Sequence, residues 1–243
     1  MSPPDRDDDP TVTSVAVVNL APGALADITS GDGARLVADL EALLAAAPRA
    51  LLLDARSGAG CCEPRPATPA GLRDPAAIIA SFPAPTIAVW DGAAVGAGAE
   101  VLLAADVRVI GEGATLQLPE VEQGELPCWG GTQRLTRIAG VAMALRALVM
   151  GEELDADALE RSGTAIRVAD PVTHAEALAA RLAAGAPRAQ AAARDAVQRG
   201  RDLTIAEGHR VESDLNLLLS TTSDRAEGIA AFFDKRPPTF RGE

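Results

Sequence analysis

The chain has 243 residues, 48% of them apolar and 23% charged, and its 34 acidic against 22 basic side chains leave a net charge of −12. This usage fits a globular unit with a sizeable core and excludes global disorder and fibrous repeats; the acidity makes nucleic acid an unfavourable partner. No run of about eighteen apolar residues occurs, so no membrane span is expected. Cys61, Cys62 and Cys128 cannot all pair and match no zinc spacing, so no metal is expected and a reducing, cytoplasmic compartment is the simpler inference. His174 and His209 are the only histidines, tyrosine is absent and Lys235 is the single lysine, so carboxylates come first as acid/base candidates.

Residues 1–10, MSPPDRDDDP, read as a solvated tail without the layout of a signal peptide. The runs SVAVVNL (14–20) and ALLLD (50–54) have strand length, the second too continuous for a half-exposed strand. Between them Leu36, Val37, Leu40, Leu43 and Leu44 fall on one face of a helix, with Ser30 and Asp32 as start signals. TIAVW (86–90) and VRVI (107–110) add two strands, giving an α/β layer arrangement with right-handed crossovers. From about Thr132 the periodicity turns helical, with a break at Gly140. AGAPR (184–188) marks a hinge, after which residues 188–233 read as helices ended by the prolines of AAFFDKRPP. The expected organisation is a tail over 1–10, a core over 11–185 and a C-terminal helical region over 186–243. The six aromatic residues leave a core of aliphatic side chains that contacts between subunits could extend.

The segment WDGAAVGAGAEVLLAAD (90–106) runs from a strand into a Gly/Ala loop and then an apolar helix. Gly96, Ala97 and Gly98 at the helix start would present unpaired N–H groups to an oxyanion or phosphate, with Glu100 in the first turn. Gly92, Gly96 and Gly98 also spell the GxxxGxG of short-chain dehydrogenases, but those enzymes place it after the first strand and need a tyrosine. No GxSxG elbow supports a serine hydrolase. In LQLPEVEQGELPCWGGTQRLTR (116–137), Pro119, Gly124 and Pro127 constrain a loop on which Glu120 could be desolvated and aimed. Glu122 and Glu125 read as solvated carboxylates, the ordinary fate of a loop glutamate.

Together DGAAVGAGAEVLLAADVRV (91–109), LPEVEQGELPCWGGTQRL (118–135) and the following ALVMGEELDADAL resemble the crotonase, or enoyl-CoA hydratase/isomerase, superfamily, with weaker likeness from about Thr11 to Phe240. The resemblance implies a ββα spiral core, a C-terminal helical region that mediates trimers or dimers of trimers, and acyl-CoA thioester chemistry. It requires no cofactor, since coenzyme A is part of the substrate.

In hydratases of this superfamily two glutamates hold the water that adds across the double bond; the matching positions are Glu100 and Glu120. The resemblance gives Glu120 the proton delivered to the α-carbon and Glu100 a share in deprotonating water. The oxyanion hole would use the N–H of Ala97 and, from the loop after the buried strand, that of Arg65. There Glu63-Pro64-Arg65-Pro66 replaces the family's small AGAD residues, and the connection from Pro66 to Pro83 is shorter than the usual helical insert.

Gly96, Gly98, Trp129, Gly130 and Lys235 are the substrate-binding candidates. Trp129, in place of a small residue, either lines the acyl pocket or packs, and Lys235 lies where family members reach a neighbour's CoA. Asp106, Arg108 and Arg134 read as structural charge pairs. The expected reaction is hydration of a trans-2-enoyl-CoA to the 3-hydroxyacyl-CoA. Double-bond isomerisation, other crotonase-type acyl-CoA chemistry and a non-catalytic accessory role are the alternatives, the last motivated by the altered 61–83 segment.

Overall fold

A computed structural model describes residues 14–20, 31–56, 58–61 and 73–243. The expected tail over 1–10, the helix-start signal Ser30 and the expected donor Arg65 lie outside the described residues. After β1 (Val15–Asn19) and α1 (Gly31–Ala46), the chain repeats a step of two strands followed by a helical segment. The first step is β2 (Ala50–Ala55), β3 (Ala59–Cys61) and α2 (Pro75–Ala80), and the second is β4 (Thr86–Trp90), β5 (Ala93–Gly96) and α3 (Ala97–Leu103). The third is β6 (Val107–Ile110), β7 (Thr115–Gln117) and a 3-10 turn (Pro119–Gln123). Next come α4 (Gly131–Ala139), α5 (Val141–Val149), β8 (Leu154–Asp155), α6 (Ala156–Arg161), β9 (Ile166–Arg167) and α7 (Pro171–Ala183). The chain ends in α8 (Pro187–Gly200), α9 (Ile205–Leu219) and α10 (Ser223–Asp234).

In each step the first strand joins a five-stranded sheet, β1-β2-β4-β6-β9, and the second joins a four-stranded sheet, β3-β5-β7-β8. The first sheet is parallel throughout; in the second only the β7–β8 pair is antiparallel. A parallel sheet covered on both faces explains the unbroken apolar runs of β2 and β4, every residue of which is buried. Their alternation sorts the side chains. Leu52, Ile87, Val89 and Val109 pack with Ala175 and Ala179 of α7, whereas Leu51, Leu53, Trp90 and Ile110 join the core that holds Leu40 of α1, Ile78 of α2 and Leu102 of α3. Each fully buried leucine or isoleucine contributes about 1.5–3 kcal/mol relative to exposure.

The expected strands over 14–20, 50–54, 86–90 and 107–110 and the helix through Leu36–Leu44 are present, as is the break at Gly140. The second sheet is what the sequence did not disclose. AGC, AAVG and TLQ are short, rich in small residues and carry no apolar alternation, so the Gly/Ala loop before α3 is in fact strand β5.

One expected pairing is also corrected. Asp106 and Arg108 form no ion pair with each other: Asp106 Oδ1 takes Arg194 Nε at 2.6 Å, and its Oδ2 accepts from the Thr86 N–H and hydroxyl, each at 2.9 Å. Arg108 donates instead to the carbonyls of Thr164 and Ala105. Arg194 further donates to the carbonyls of Phe82 at 2.5 Å and Ala80 at 2.7 Å, fastening α8 to the end of α2 and the start of β6. Asp106 thus serves the C-terminal helices, a partner 88 residues away that local spacing could not reveal.

Candidate active site

Adjacent parallel strands finish on the same edge of a sheet, and here that edge gathers most of the candidate residues. β3 pairs with β5 with Cys61 opposite Gly96, and β5 pairs with β7 with Val95 opposite Gln117. α3 starts directly after β5, and the 3-10 turn starts one residue beyond Leu118. Glu100 and Glu120 therefore leave the carboxyl ends of neighbouring strands a few residues after their last register partners. Gly96 turns the chain from strand to helix at φ 55° and ψ −121°, a conformation that a side chain would strain. Gly98 lets α3 rest on β3, because a Cβ there would stand 2.2 Å from the Ala59 carbonyl oxygen.

Glu100 is fully buried in the first turn of α3. Its Oε1 accepts the backbone N–H groups of Trp129 and Gly131, both at 2.8 Å. These donors belong to the turn that opens α4, whose N-cap Gly130 has φ 91°. The first N–H groups of a helix lack intrahelical partners, and the carboxylate supplies an acceptor where the helix dipole also favours negative charge. Arg134, one turn into α4, donates to the Trp129 carbonyl and so braces the same turn from the other side. Burial pushes the Arg134 guanidinium below its ordinary range; Asp74 and Glu100 oppose that shift and Arg201 adds to it. The expected charge pair of Arg134 is thus a brace: among the described residues it forms no ion pair.

Glu120 is the second residue of the 3-10 turn and only 7% exposed. Pro119 starts the turn, Gly124 closes it at φ 75°, and the Glu120 carbonyl accepts the Glu125 N–H at 2.9 Å. Glu122 and Glu125 face solvent, as expected of ordinary loop carboxylates.

Ala97 is buried as the first residue of α3, and Trp129 is 5% exposed beside the Glu100 carboxylate that its own N–H holds. Gly96 thus ends β5, and Ala97, Gly98, Glu100, Glu120, Trp129 and Gly130 belong to the segments that follow β5 and β7. Lys235 stands apart, exposed as the left-handed C-cap of α10. Sequence reading missed Gly131 and the bracing role of Arg134. The adjacent glycines of WGGTQRL were the available signal, since a glycine pair at a helix start permits a side chain to approach closely.

The enoyl-CoA hydratase/isomerase family model matches residues 69–243. The 2,3-dehydroadipyl-CoA hydratase of Escherichia coli (strain K12) is 38% identical over 169 residues, covering 68% of this chain and 66% of that protein. The human mitochondrial enoyl-CoA hydratase domain-containing protein 2 is 40% identical over 179 residues, covering 68% of this chain and 59% of that protein. The matched stretch therefore spans about two thirds or less of the length of these relatives. Among solved structures, enoyl-CoA hydratase subunit I from Geobacillus kaustophilus HTA426 superposes with a TM-score of 0.81 at 30% identity, covering 94% of this chain and 95% of that one. The Bacillus anthracis enoyl-CoA hydratase gives 0.79 at 28% identity, covering 94% and 96%. The repeated strand–strand–helix step, the residues at its strand ends and these likenesses agree: the chain belongs to the enoyl-CoA hydratase/isomerase family of the crotonase superfamily.

Proposed function

We propose that the protein hydrates a trans-2-enoyl-CoA to the corresponding 3-hydroxyacyl-CoA, with Glu100 and Glu120 as its acid/base pair. The observation that carries this reading is the delivery of two buried carboxyl groups from the carboxyl ends of adjacent parallel strands, β5 and β7. Water gives one proton to Glu100 as its oxygen bonds to the β-carbon, and Glu120 delivers a proton to the α-carbon, so the elements of one water are added. The two carboxyls finish with exchanged protonation states and reset through solvent, acting as a coupled pair. The two N–H bonds on Glu100 Oε1 fix the carboxylate plane during the transfer.

Addition next to a thioester places enolate-like charge on the carbonyl oxygen, which preorganised N–H dipoles stabilise. The Ala97 N–H, first in α3, is one donor in this reading, and the Arg65 N–H is the second. Gly96, Gly98, Trp129 and Gly130 shape the acyl pocket, with Lys235 reaching the CoA of a neighbouring subunit. Support for such an assembly comes from Phe232 and Phe233, which lie 78% and 76% exposed on α10. Light scattering should then return a multiple of the 24.8 kDa chain mass, a trimer or a pair of trimers.

The decisive assay is consumption of crotonyl-CoA and of a longer 2-enoyl-CoA, followed at the thioester enone absorbance. Glu100→Gln and Glu120→Gln should each lower kcat by about 10²–10⁴-fold without moving the unfolding midpoint by more than a few degrees. Turnover unaffected by either substitution overturns the assignment. Conversion of a 3-enoyl-CoA to its 2-enoyl isomer without net hydration moves it to isomerisation, and acyl-CoA binding without turnover of either substrate makes the chain an accessory member.

A further inference from the structure

At the end of α3 opposite the candidate active site, a cleft of about 630 Å³ opens between the core and α8. Leu103, Ile138 and Leu182 give it apolar walls, and four arginines line it: Arg108, Arg134, Arg194 and Arg201. Asp106 is the one acidic lining residue, and Arg194 already occupies it at 2.6 Å. The other three arginines have no carboxylate in direct contact among the described residues. Arg108 donates to backbone carbonyls, Arg134 to the Trp129 carbonyl, and no hydrogen bond or ion pair among the described residues engages Arg201. Nearby acids are committed elsewhere, Asp202 to Arg137 at 3.6 Å and Asp195 to Arg199 at 2.8 Å.

Three guanidinium groups without contacting counter-ions form an unusual concentration in a chain of net charge −12. Burial depresses both Arg108, against the opposing charge of Asp106, and Arg134, against Asp74 and Glu100, and Arg201 adds to the depression at Arg134. An anion would relieve this crowding through charge-assisted hydrogen bonds in forked geometry. The aliphatic walls suit a ligand that carries an apolar body behind its charge.

We propose that this cleft binds a small amphipathic anion, a carboxylate or phosphate head on a short aliphatic body, and that occupancy is transmitted to Glu100 through the Arg134–Trp129 hydrogen bond. The path is short: Arg134 holds the Trp129 carbonyl, and the Trp129 N–H holds Glu100 Oε1. A head group that draws the Arg134 guanidinium into the cleft loosens the turn that orients this carboxylate. The binding half stands without the hydratase reading; an effect on turnover rests on it.

The test is calorimetric titration of the full chain with hexyl phosphate, hexanoate, inorganic phosphate and hexanol at low salt. Saturable binding of hexyl phosphate or hexanoate, with none for hexanol, is expected, and the stronger of the two identifies the head group. Arg201→Glu and Ala193→Phe, at exposed positions beside or on α8, should each weaken that binding by at least about tenfold. An amphiphile lodged in the acyl pocket would be indifferent to both substitutions, and that result overturns the site, as does the absence of saturable binding. For the coupling, tryptophan emission should change at saturation in the parent but not in Arg134→Lys, which keeps the charge and loses the fork. Unchanged emission in the parent overturns the transmission. Both readouts are independent of turnover, so a chain inactive on every enoyl-CoA would still decide the proposal.

Discussion

Gly131 approaches Glu100 so closely that a Cβ on the glycine would stand 2.9 Å from Glu100 Cγ and 3.0 Å from its Oε1. The close approach lets the Gly131 N–H reach the carboxylate at 2.8 Å. Gly131→Ala must push either the carboxylate or the start of α4 aside. A displacement near 1 Å at a catalytic group costs about a hundredfold in rate, so kcat on an enoyl-CoA should fall by about that factor while the fold persists. Steady-state kinetics check this, and parental kcat in the alanine variant would show that Glu100 tolerates movement.

Gly98 meets a harder obstacle, because its missing Cβ faces the Ala59 carbonyl carbon at 2.5 Å as well as the oxygen. The backbone of β3 cannot rotate away as a flexible side chain would. Gly98→Ala should therefore destabilise by about 1–3 kcal/mol, outweighing the roughly 1 kcal/mol that alanine gains over glycine inside a helix. Urea unfolding with an unchanged slope and a lower midpoint is the expected record.

The proposed Arg65 donor invites a comparison of two substitutions. Arg65→Ala keeps the N–H and removes the side chain, whereas Arg65→Pro removes the N–H itself. If that N–H stabilises the oxyanion, the proline variant should lose about a hundredfold or more in kcat and the alanine variant far less. Equal rates in both variants would move the second donor elsewhere in the loop.

Glu227 sets a pH dependence at the far end of the chain. Its carboxylate accepts from Arg236 at 2.6 and 2.9 Å and from the Thr239 N–H at 2.8 Å. These bonds, those of Arg236 foremost, lower its pKa from 4.5 to about 2. A depressed folded-state value means that the stabilisation is complete above the unfolded pKa and disappears as pH falls through the folded one. Glu227→Gln should thus lower the melting temperature at pH 7, and its gap from the parent should close between about pH 4.5 and 2. A gap of constant size across that interval would place the stabilisation elsewhere.

The legible part of this fold follows from burial. β2 and β4 announce themselves because a parallel sheet covered on both faces needs apolar residues at every position. Glu100 and Glu120 could be noticed because a glycine-rich helix start and a proline-led turn imply constrained backbone around a carboxylate, but only the family resemblance paired them as acid and base. The second sheet could not, since Ala59–Cys61, Ala93–Gly96 and Thr115–Gln117 are built from residues that read equally well as loop. Nor could the Trp129 and Gly131 contacts to Glu100 be read, because backbone donors some thirty positions away leave no mark on side-chain type. Asp106 illustrates the remaining failure: proximity in sequence suggested Arg108, whereas the ion pair is made by Arg194.

The repeating step also separates what keeps the molecule folded from what gives it chemistry. Each rung contributes a strand to the five-stranded sheet, and the candidate carboxylates Glu100 and Glu120 ride on the short exits from the four-stranded one, after β5 and after β7. Such an exit can be rewritten, lengthened or made bulkier, as Trp129 exemplifies, while the Leu52–Ile87–Val109 interior stays in place. Laboratory recombination aimed at altering the candidate site would accordingly swap exits between homologous rungs and leave the ladder itself untouched.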